Sequence, residues 1–211
     1  MLEIEVKFFV QELAVVRARL LAAGAVLKKA RVFERNVRYD DSADSLLQRG
    51  SILRLRQDTK AKITYKGIPQ NVDLSQSQAK VREELEIEVS DFETAHLLIQ
   101  RIGYEQKQTY EKYRETFQLG GVEIVLDEMP YGDFVELEGA EVEILAVALR
   151  LGLDWSRRIV TNYLGLFERL KGLYRLPFND LTFENFEGLG ISAEVVLSRG
   201  SSTKDDEGKK K

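Results

Sequence analysis

The chain has 211 residues, a formal net charge of -4, no cysteine and a single histidine, His96. Without cysteine there can be no disulfide, thiolate catalyst or zinc-thiolate site, and one histidine cannot form a multi-histidine metal site, so a metal would need oxygen ligands. The slight acidity predicts neither a general nucleic-acid surface nor a membrane surface. No apolar run has the length of a membrane span or the character of a signal segment, so we expect a cytoplasmic protein.

Charged and aliphatic residues alternate without a break in the first seven residues, MLEIEVK. Because successive side chains of a strand point to opposite faces, Glu3, Glu5 and Lys7 share one face. Carboxylates two residues apart lie about 6.6 Å from each other, close enough to serve one cation or neighbouring water ligands. An ordinary half-exposed strand would show the same alternation, so the heptad alone leaves both interpretations open.

Periodicity predicts the elements that follow in chain order. Predicted strands cover 32–39, 51–57, 62–67, 81–89, 112–117, 122–127 and 135–138. Predicted helices cover 11–23, 92–101 and 141–151, followed by Gly24, Gly103 and Gly152, and a further helix is predicted from an N-cap at Ser156 to about Lys171. A polar turn is expected at 40–45, a mobile loop rich in Gln and Ser at 69–79, and a Gly120-Gly121 hairpin between two strands.

The opening pattern returns twice along the chain. Residues 85–89 (LEIEV) repeat residues 2–6 letter for letter, and residues 135–138 (VELE) form a weaker copy. Each copy is followed by a helical segment and then by a glycine. Internal similarity of this kind predicts a quasi-symmetric sheet structure.

The predicted strands have one charged face and one apolar face. The charged sets are Glu3/Glu5/Lys7, Arg54/Arg56, Thr64/Lys66, Arg82/Glu84/Glu86/Glu88, Lys112/Arg114 and Glu136/Glu138. Burying an unpaired ion costs several kcal/mol, so the apolar faces must pack under the helices while the charged faces meet water. An open antiparallel sheet with one solvated face satisfies this condition. Whole strands of paired acids or paired bases favour instead about eight strands closed into a barrel, with the charges inside.

A charged lumen of this kind suits one class of ligand. Carboxylates bind hard cations, and Arg and Lys side chains bind phosphate oxygens. The combination predicts a polyphosphate ligand with Mg²⁺ or Mn²⁺.

Glu3-x-Glu5-x-Lys7 at the start of the chain resembles the signature of the CYTH superfamily, the triphosphate tunnel metalloenzymes. This superfamily includes class IV adenylate cyclases, thiamine triphosphatases and inorganic tripolyphosphatases. Further stretches resemble the family pattern in order: 53–56 (LRLR), 64–67 (TYKG), 82–86 (REELE), 112–114 (KYR), 126–128 (LDE) and 132–138 (GDFVELE). The resemblance covers about residues 1 to 170.

The resemblance implies an α+β fold: an eight-stranded antiparallel closed barrel with a charged lumen and helices packed outside. We expect this tunnel domain over residues 1–175, followed by a C-terminal extension, 176–211, whose last part, from Ser198, is disordered. By position, the implied metal ligands are Glu3, Glu5, Asp127, Glu136 and Glu138. The implied phosphate-binding residues are Lys7, Arg54, Arg56, Lys66, Arg82, Lys112 and Arg114. Lys7, Glu84 and Glu86 are the candidate catalytic residues; the two glutamates would hold a second ion, position a water or pair with neighbouring bases.

The implied function is a divalent-metal-dependent phosphohydrolase acting on inorganic tripolyphosphate or on a nucleoside or other organic triphosphate. One alternative is a class IV adenylate cyclase, which converts ATP to cyclic AMP and pyrophosphate. Another is a module that binds polyphosphate or nucleotides without turnover, although a pure anion binder gains nothing from carboxylates that face the ligand. No stretch predicts a dedicated adenine pocket, which favours hydrolysis. No nucleic-acid or membrane partner is expected, and a homodimer would use the outer faces.

Several other residues are given no role in the site. Packing or exposure explains His96 and Trp155, and simple exposure explains Glu123 and Glu128. Residues 179–183 (NDLTF) lie beyond the family pattern, and the residues themselves indicate no function for them.

Overall fold

A computed structural model describes residues 2–70 and 72–199 of the chain. The strands are β1 (Leu2–Val10), β2 (Val26–Asp40), β3 (Ile52–Gln57), β4 (Ala61–Gly67), β5 (Lys80–Val89), β6 (Glu105–Leu119), β7 (Val122–Met129) and β8 (Gly132–Glu138). They form a closed barrel in the order β1-β5-β4-β3-β2-β6-β7-β8, and every pairing is antiparallel. The predicted eight-stranded fold with helices outside is therefore confirmed.

The helices lie on the outside and at one end of this barrel. They are α1 (Leu13–Ala22), α2 (Ser45–Gln48), α3 (Phe92–Arg101), α4 (Glu141–Arg150), α5 (Tyr163–Tyr174), α6 (Phe183–Phe186) and α7 (Glu194–Arg199), with a short 3-10 turn at Trp155–Arg157. No helix in the described parts of the chain combines the length and the apolar character that crossing a membrane requires.

Three apolar clusters pack the outward faces of most strands under the helices. Strand β5 departs from the expectation, because its Leu85 and Ile87 are exposed. In the first cluster, Leu20 of α1 and Ile144 of α4 pack against the outward side chains of β1, β6, β7 and β8. In the second, α3 covers Val37 and Leu55 of β2 and β3. Burying these faces stabilises the fold by roughly 25 cal/mol per Å² of apolar surface removed from water. The charged faces are left to line the interior. The alternation of residues along each strand thus sets the chemistry of the lumen.

The third cluster closes one end of the barrel. Tyr163, Leu166, Phe167 and Leu170 of α5 pack against side chains of the β7–β8 hairpin and against α6 and α7. Just before α5, Ile159 makes two backbone hydrogen bonds with Lys7, of 3.2 and 2.8 Å. Helix α5 is therefore held against the end of the barrel at which β1 finishes.

The predicted start of this last long helix at Ser156 is wrong. Ser156 lies in the 3-10 turn, and its amide and hydroxyl both donate to the Asp154 side chain. The helix begins at Tyr163, where the Asn162 side chain accepts a hydrogen bond from Gly165 N at 2.7 Å. The backbone bridge to Lys7 holds Ile159 in an extended conformation, and this prevents the helix from starting earlier.

The remaining predicted segments differ from the structure mainly in length. Strands β2 and β6 have 15 residues each, whereas eight and six were predicted, because they pair with each other along nearly their whole length. Residues 68–70 and 72–79 contain no helix or strand. The predicted disorder of 198–211 falls almost entirely outside the described residues; only Ser198 and Arg199 are described, at the end of α7.

Candidate functional site

The barrel encloses a cavity of about 650 Å³, which we call the lumen cavity. It is lined by a mixture of acidic and basic side chains drawn from most of the strands, as the alternating faces predict. The predicted site residues that line it are Glu3, Glu5, Lys7, Arg54, Arg56, Lys66, Glu84, Glu86, Lys112, Arg114, Glu136 and Glu138. Two further predicted residues, Arg82 and Asp127, are not among those that line it.

Lys7 is a buried cation in the wall of the lumen cavity. It is only 1% exposed, and its Nζ lies 3.5 Å from Glu5 Oε1 and 3.3 Å from Glu136 Oε1. Burial alone would lower the pKa of Lys7, but the two carboxylates outweigh it and raise the pKa above its usual value. Lys7 thus carries a fixed positive charge into the cavity.

Asp127 lies fully buried behind the wall of the cavity. Its Oδ1 accepts from Arg114 Nε at 2.7 Å, and its Oδ2 accepts from Lys112 Nζ at 3.1 Å and from the Tyr163 hydroxyl at 2.9 Å. Burial raises the pKa of Tyr163 well above its usual value, which keeps this hydroxyl a donor. Both carboxylate oxygens of Asp127 are therefore occupied by groups that face the lumen, and its predicted part in metal binding stays a prediction.

Arg114 and Lys112 are held by several carboxylates together. Arg114 Nη2 also donates to Glu136 Oε2 at 2.6 Å, and Lys112 Nζ lies 3.5 Å from Glu34 Oε1. For Glu136, the cations Lys7 and Arg114 outweigh burial and hold its pKa well below the usual value. These contacts fix the two predicted phosphate-binding side chains of β6 in place.

Glu34 is a buried carboxylate that we did not predict. Its Oε1 accepts from Asn36 Nδ2 at 3.0 Å, and its Oε2 lies 3.6 Å from Arg56 Nη1. Burial would raise the pKa of Glu34, but Lys112 and neighbouring arginines outweigh it and hold the pKa well below its usual value. The signal was present in the sequence, because Glu34 and Asn36 share a face of the strand predicted at 32–39.

Lys80 is a second residue that sequence reasoning missed, at the start of β5. It pairs directly with Glu5 across β1, makes an ion pair with the Glu5 carboxylate and lines the cavity. Arg82, which was predicted instead, lies opposite Glu3, and its Nη1 donates to the Val81 carbonyl at 3.1 Å. The two basic residues share one strand face, so the alternation could have indicated both; a phosphate-binding role for Arg82 stays a prediction.

Carboxylates meet where β1, β7 and β8 run side by side. Glu138 lies directly opposite Glu5 on one side and opposite Glu123 on the other. Burial, followed by the charges of Glu3 and Glu123, raises the pKa of Glu138 to about 7. Glu123 is exposed, as expected, but it also lines the lumen cavity, so exposure alone is an incomplete explanation of this residue.

The lumen carboxylates fit a hard divalent cation in their chemistry. The possible donors are all oxygen atoms, as Mg²⁺ and Mn²⁺ prefer. Glu3 is 7% exposed and its Oε2 is buried without a hydrogen-bond partner, while its Oε1 accepts from Lys66 Nζ at 2.5 Å. Within residues 2–70 and 72–199, no three metal-ligating side chains already converge on one point.

The candidate catalytic acids Glu84 and Glu86 lie on the β5 side of the lumen cavity. Lys66 Nζ lies 3.2 Å from Glu84 Oε2, and Glu86 accepts from Lys62 Nζ at 2.6 Å and from Arg56 Nη2 at 3.2 Å. These bases lower the pKa of Glu86 against the effect of burial. Both carboxylates therefore form ion pairs with neighbouring lysine or arginine side chains. Of the three roles expected for them, this pairing is the one observed.

Comparisons with known proteins place these features in a family. The sequence model of the CYTH domain matches residues 1–148. The structure resembles PH1012 from Pyrococcus horikoshii OT3, with 27% identity, a TM-score of 0.63, and coverage of 76% of this chain and 96% of that one. It also resembles a candidate adenylate cyclase from Vibrio parahaemolyticus, with 20% identity, a TM-score of 0.67, and coverage of 77% and 95%.

A further similar structure is HpAC1 from Hippeastrum, a candidate adenylyl cyclase described as revealing a dominant triphosphatase activity. It has 16% identity and a TM-score of 0.56, and the match covers 79% of this chain and 95% of that one. A search of curated proteins gives no match. The domain match confirms the resemblance drawn from the sequence motifs, although it ends at residue 148 rather than near 170. This chain belongs to the CYTH family.

Proposed function

We propose that the protein is a divalent-metal-dependent triphosphatase, which hydrolyses inorganic tripolyphosphate or an organic triphosphate within the lumen cavity. The observation that carries the proposal is the composition of the cavity wall. Lysines and arginines for phosphate oxygens share about 650 Å³ with carboxylates that suit a cation. A pure anion site would gain nothing from those carboxylates, whereas a metal-bound triphosphate uses both sets.

The basic residues would bind and orient the triphosphate chain. Lys7, Lys66 and Arg114 already lie in ion pairs with lumen carboxylates, and Lys112 lies in an ion pair with Asp127 behind the wall, so each is preorganised rather than free to rotate. Positive groups fixed in a partly dry site stabilise the charge that develops on the transferred phosphoryl group. Arg54, Arg56 and the newly found Lys80 also line the cavity and would complete this set.

The carboxylates of β1 and β8 would hold the cation, Mg²⁺ or Mn²⁺. We assign this role to Glu3, Glu5, Glu136 and Glu138, because they line the cavity and supply only oxygen donors. A bound cation supplies charge neutralisation and polarises phosphoryl oxygens. Asp127 supports this set from behind by fixing Arg114 against Glu136.

Glu84 and Glu86 are the carboxylates we propose to orient the attacking water. They lie in the cavity wall on β5 and are not in the proposed metal set. Each is engaged by a base, and the lowered pKa of Glu86 keeps it ionised, so that it can accept a hydrogen bond from the attacking water.

Relatives support this proposal and one alternative. HpAC1 is described with a dominant triphosphatase activity, which favours hydrolysis, whereas the Vibrio parahaemolyticus protein is described as a candidate adenylate cyclase. In the cyclase alternative, ATP would occupy the same cavity and would yield cyclic AMP and pyrophosphate. The two reactions differ in their products, which therefore decide between them.

The metal role can be tested with Glu138→Gln. Glutamine keeps the size of the side chain but removes the charge, so we expect Mg²⁺-dependent turnover to fall about 100-fold or more while tripolyphosphate affinity changes about threefold or less. Glu128→Gln is a matched control, since Glu128 is paired with Arg31 outside the lumen. Turnover assays and calorimetry would measure both quantities. Retained turnover in Glu138→Gln would exclude Glu138 from the metal set, and no turnover in the wild type with equal or tighter binding by the variant would favour the metal-free binding module.

A further inference from the structure

Strand β6 is longer than its neighbour β7, and this leaves part of one edge without a barrel partner. The β6–β7 ladder extends along β6 only as far as Tyr113, which pairs with Glu128. The β2–β6 ladder continues well beyond that point, through Tyr110 opposite Asn36 and on to Glu105. At residues 108–111, β6 therefore pairs with β2 on one side and has no barrel strand on the other. Unpaired backbone groups at a buried edge cost free energy, so this edge needs another partner.

Residues 179–183 occupy that open edge, and we call this segment the C-terminal strap. Leu181 N donates to Thr109 O and Glu111 N donates to Leu181 O, both at 2.9 Å, which makes a parallel bridge across Tyr110. Thr109 N donates to Asp180 Oδ1 at 2.7 Å. Leu181 is fully buried, so the strap is an integral part of the structure and not a loosely attached tail.

Two more hydrogen bonds join side chains of β6 to backbone groups at the ends of the strap. Gln108 Nε2 donates to Asn179 O at 2.6 Å, and Phe183 N donates to Glu111 Oε2 at 3.1 Å. The peptide groups on both sides of Tyr110 are thus fixed from outside the barrel.

Tyr110 points from this fixed position into the lumen cavity. Its hydroxyl accepts a hydrogen bond from Arg54 Nη1 at 3.0 Å, and Arg54 Nη2 donates to Thr64 Oγ1 at 3.2 Å. Tyr110 and Arg54 both line the cavity. The Arg54 guanidinium is therefore oriented by two hydroxyl groups, one of which stands on the part of β6 that the strap holds.

We infer that the C-terminal strap, acting through Tyr110, is a positioning element for Arg54 and sets the affinity of the lumen cavity for a triphosphate. The inference rests on the proposed function, in which Arg54 binds phosphate. Displacement of a binding group by about 1 Å weakens its interactions strongly, so the strap controls binding without touching the ligand. The strap begins 31 residues after the end of the CYTH domain match at residue 148, so that match does not include it.

The test uses the full chain and inorganic tripolyphosphate as the probe. Tyr110→Phe removes only the hydroxyl that accepts from Arg54, and Asp180→Ala removes the acceptor for Thr109 N. We expect both variants to bind tripolyphosphate about 5- to 10-fold more weakly, with the melting temperature of Tyr110→Phe within about 2 °C of the wild type. Asp180→Asn keeps a side-chain oxygen at this position and should restore affinity to within about twofold of the wild type.

Matched controls come from exposed positions near the strap. Tyr174→Phe and Glu187→Ala alter an exposed tyrosine and an exposed acidic residue that do not line the lumen cavity, and both should bind tripolyphosphate as the wild type does. Wild-type affinity in both Tyr110→Phe and Asp180→Ala would overturn the inference.

Arg54→Met separates failure of this inference from failure of the proposed function. If the wild type binds tripolyphosphate and Arg54→Met binds it at least 10-fold more weakly, the phosphate site is established and the strap variants then decide the inference. If the wild type does not bind tripolyphosphate, or Arg54→Met binds it equally well, the assignment of the phosphate site is wrong and the inference falls with it.

Discussion

Arg114 joins two carboxylates of neighbouring strands, donating from Nε to Asp127 Oδ1 at 2.7 Å and from Nη2 to Glu136 Oε2 at 2.6 Å. Asp127 is fully buried and also accepts from Lys112. One carboxylate therefore compensates two lumen cations from behind the cavity wall. Removing its charge would leave those cations under-compensated in a partly dry environment.

We predict that Asp127→Asn lowers the free energy of unfolding by about 3 kcal/mol, the usual cost of breaking a buried ion pair by neutralising one partner. Urea-induced unfolding would measure this change. Glu128→Gln on the same strand removes only a surface pair with Arg31 and should cost about 1 kcal/mol or less. Equal stability of the two variants would show that Asp127 does not compensate the buried cations.

Glu138 predicts a pH dependence of stability in protein freed of metal by a chelator. Its pKa is about 7 in the fold, against an ordinary value of 4.5. The folded state therefore holds its proton more tightly, and stability is lost as pH rises from about 4.5 to 7. Glu138→Gln removes this loss, so the variant should gain about 1 kcal/mol, or about 3 °C in melting temperature, more at pH 8 than at pH 5, after allowance for partial exposure.

Thermal unfolding of the wild type and Glu138→Gln at the two pH values would measure the difference. A gain that does not depend on pH would contradict the raised pKa. Glu88→Gln is a suitable control, since Glu88 pairs with Lys60 at an exposed position.

The start of α5 gives a third prediction. Asn162 caps the helix through Gly165 N, whereas Ser156 lies in an exposed turn. We therefore expect Asn162→Ala to lower the free energy of unfolding by about 1 kcal/mol, the usual value of an N-cap, and Ser156→Ala to cost less than about 0.5 kcal/mol. Chemical denaturation of both variants is the measurement, and the reverse order would place the cap at Ser156.

Lys80 gives a fourth prediction, which concerns ligand binding. Its ammonium lies beside Glu5 in the cavity wall, where it would contribute to the attraction of a triphosphate. Lys80→Met keeps most of the chain length but removes the charge, so the KM for tripolyphosphate should rise about 5- to 10-fold. Lys28→Met, at an exposed position, is the control, and identical KM values for the two variants would exclude Lys80 from the site.

Most of what could be predicted about the barrel and its lumen came from the alternation of charged and apolar residues along the strands. This alternation identified the face of most strands that lines the lumen, because the opposite, apolar face is buried under helices; on β5, Leu85 and Ile87 are exposed instead. Glu34 and Lys80 follow the same rule. Lys80 was missed because it lies one residue before the strand predicted at 81–89, and Glu34 because no charged face was assigned to the strand predicted at 32–39. For these residues, the information was present in the local sequence.

Other features depend on contacts between distant segments, which local periodicity does not report. Residues 105–111 (EQKQTYE) lack an apolar alternation, and they form a strand because β2 and the C-terminal strap pair with them on either side. Ile159 lies in a helix-like pattern, yet its bridge to Lys7 keeps it extended. The contact of Tyr110 with Arg54 likewise appears only once the barrel has closed.

The most direct test of the central claim is phosphorus NMR of the wild-type protein with tripolyphosphate and with ATP, each with Mg²⁺, with Mn²⁺ and with a chelator. We predict orthophosphate from tripolyphosphate or ATP only when a divalent cation is present, since the lumen carboxylates would repel the triphosphate unless a cation lies between them. Pyrophosphate and cyclic AMP from ATP would contradict hydrolysis and establish the cyclase alternative. Product formation in the chelator, or no product from either compound under any condition, would contradict a metal-dependent triphosphatase acting on these substrates.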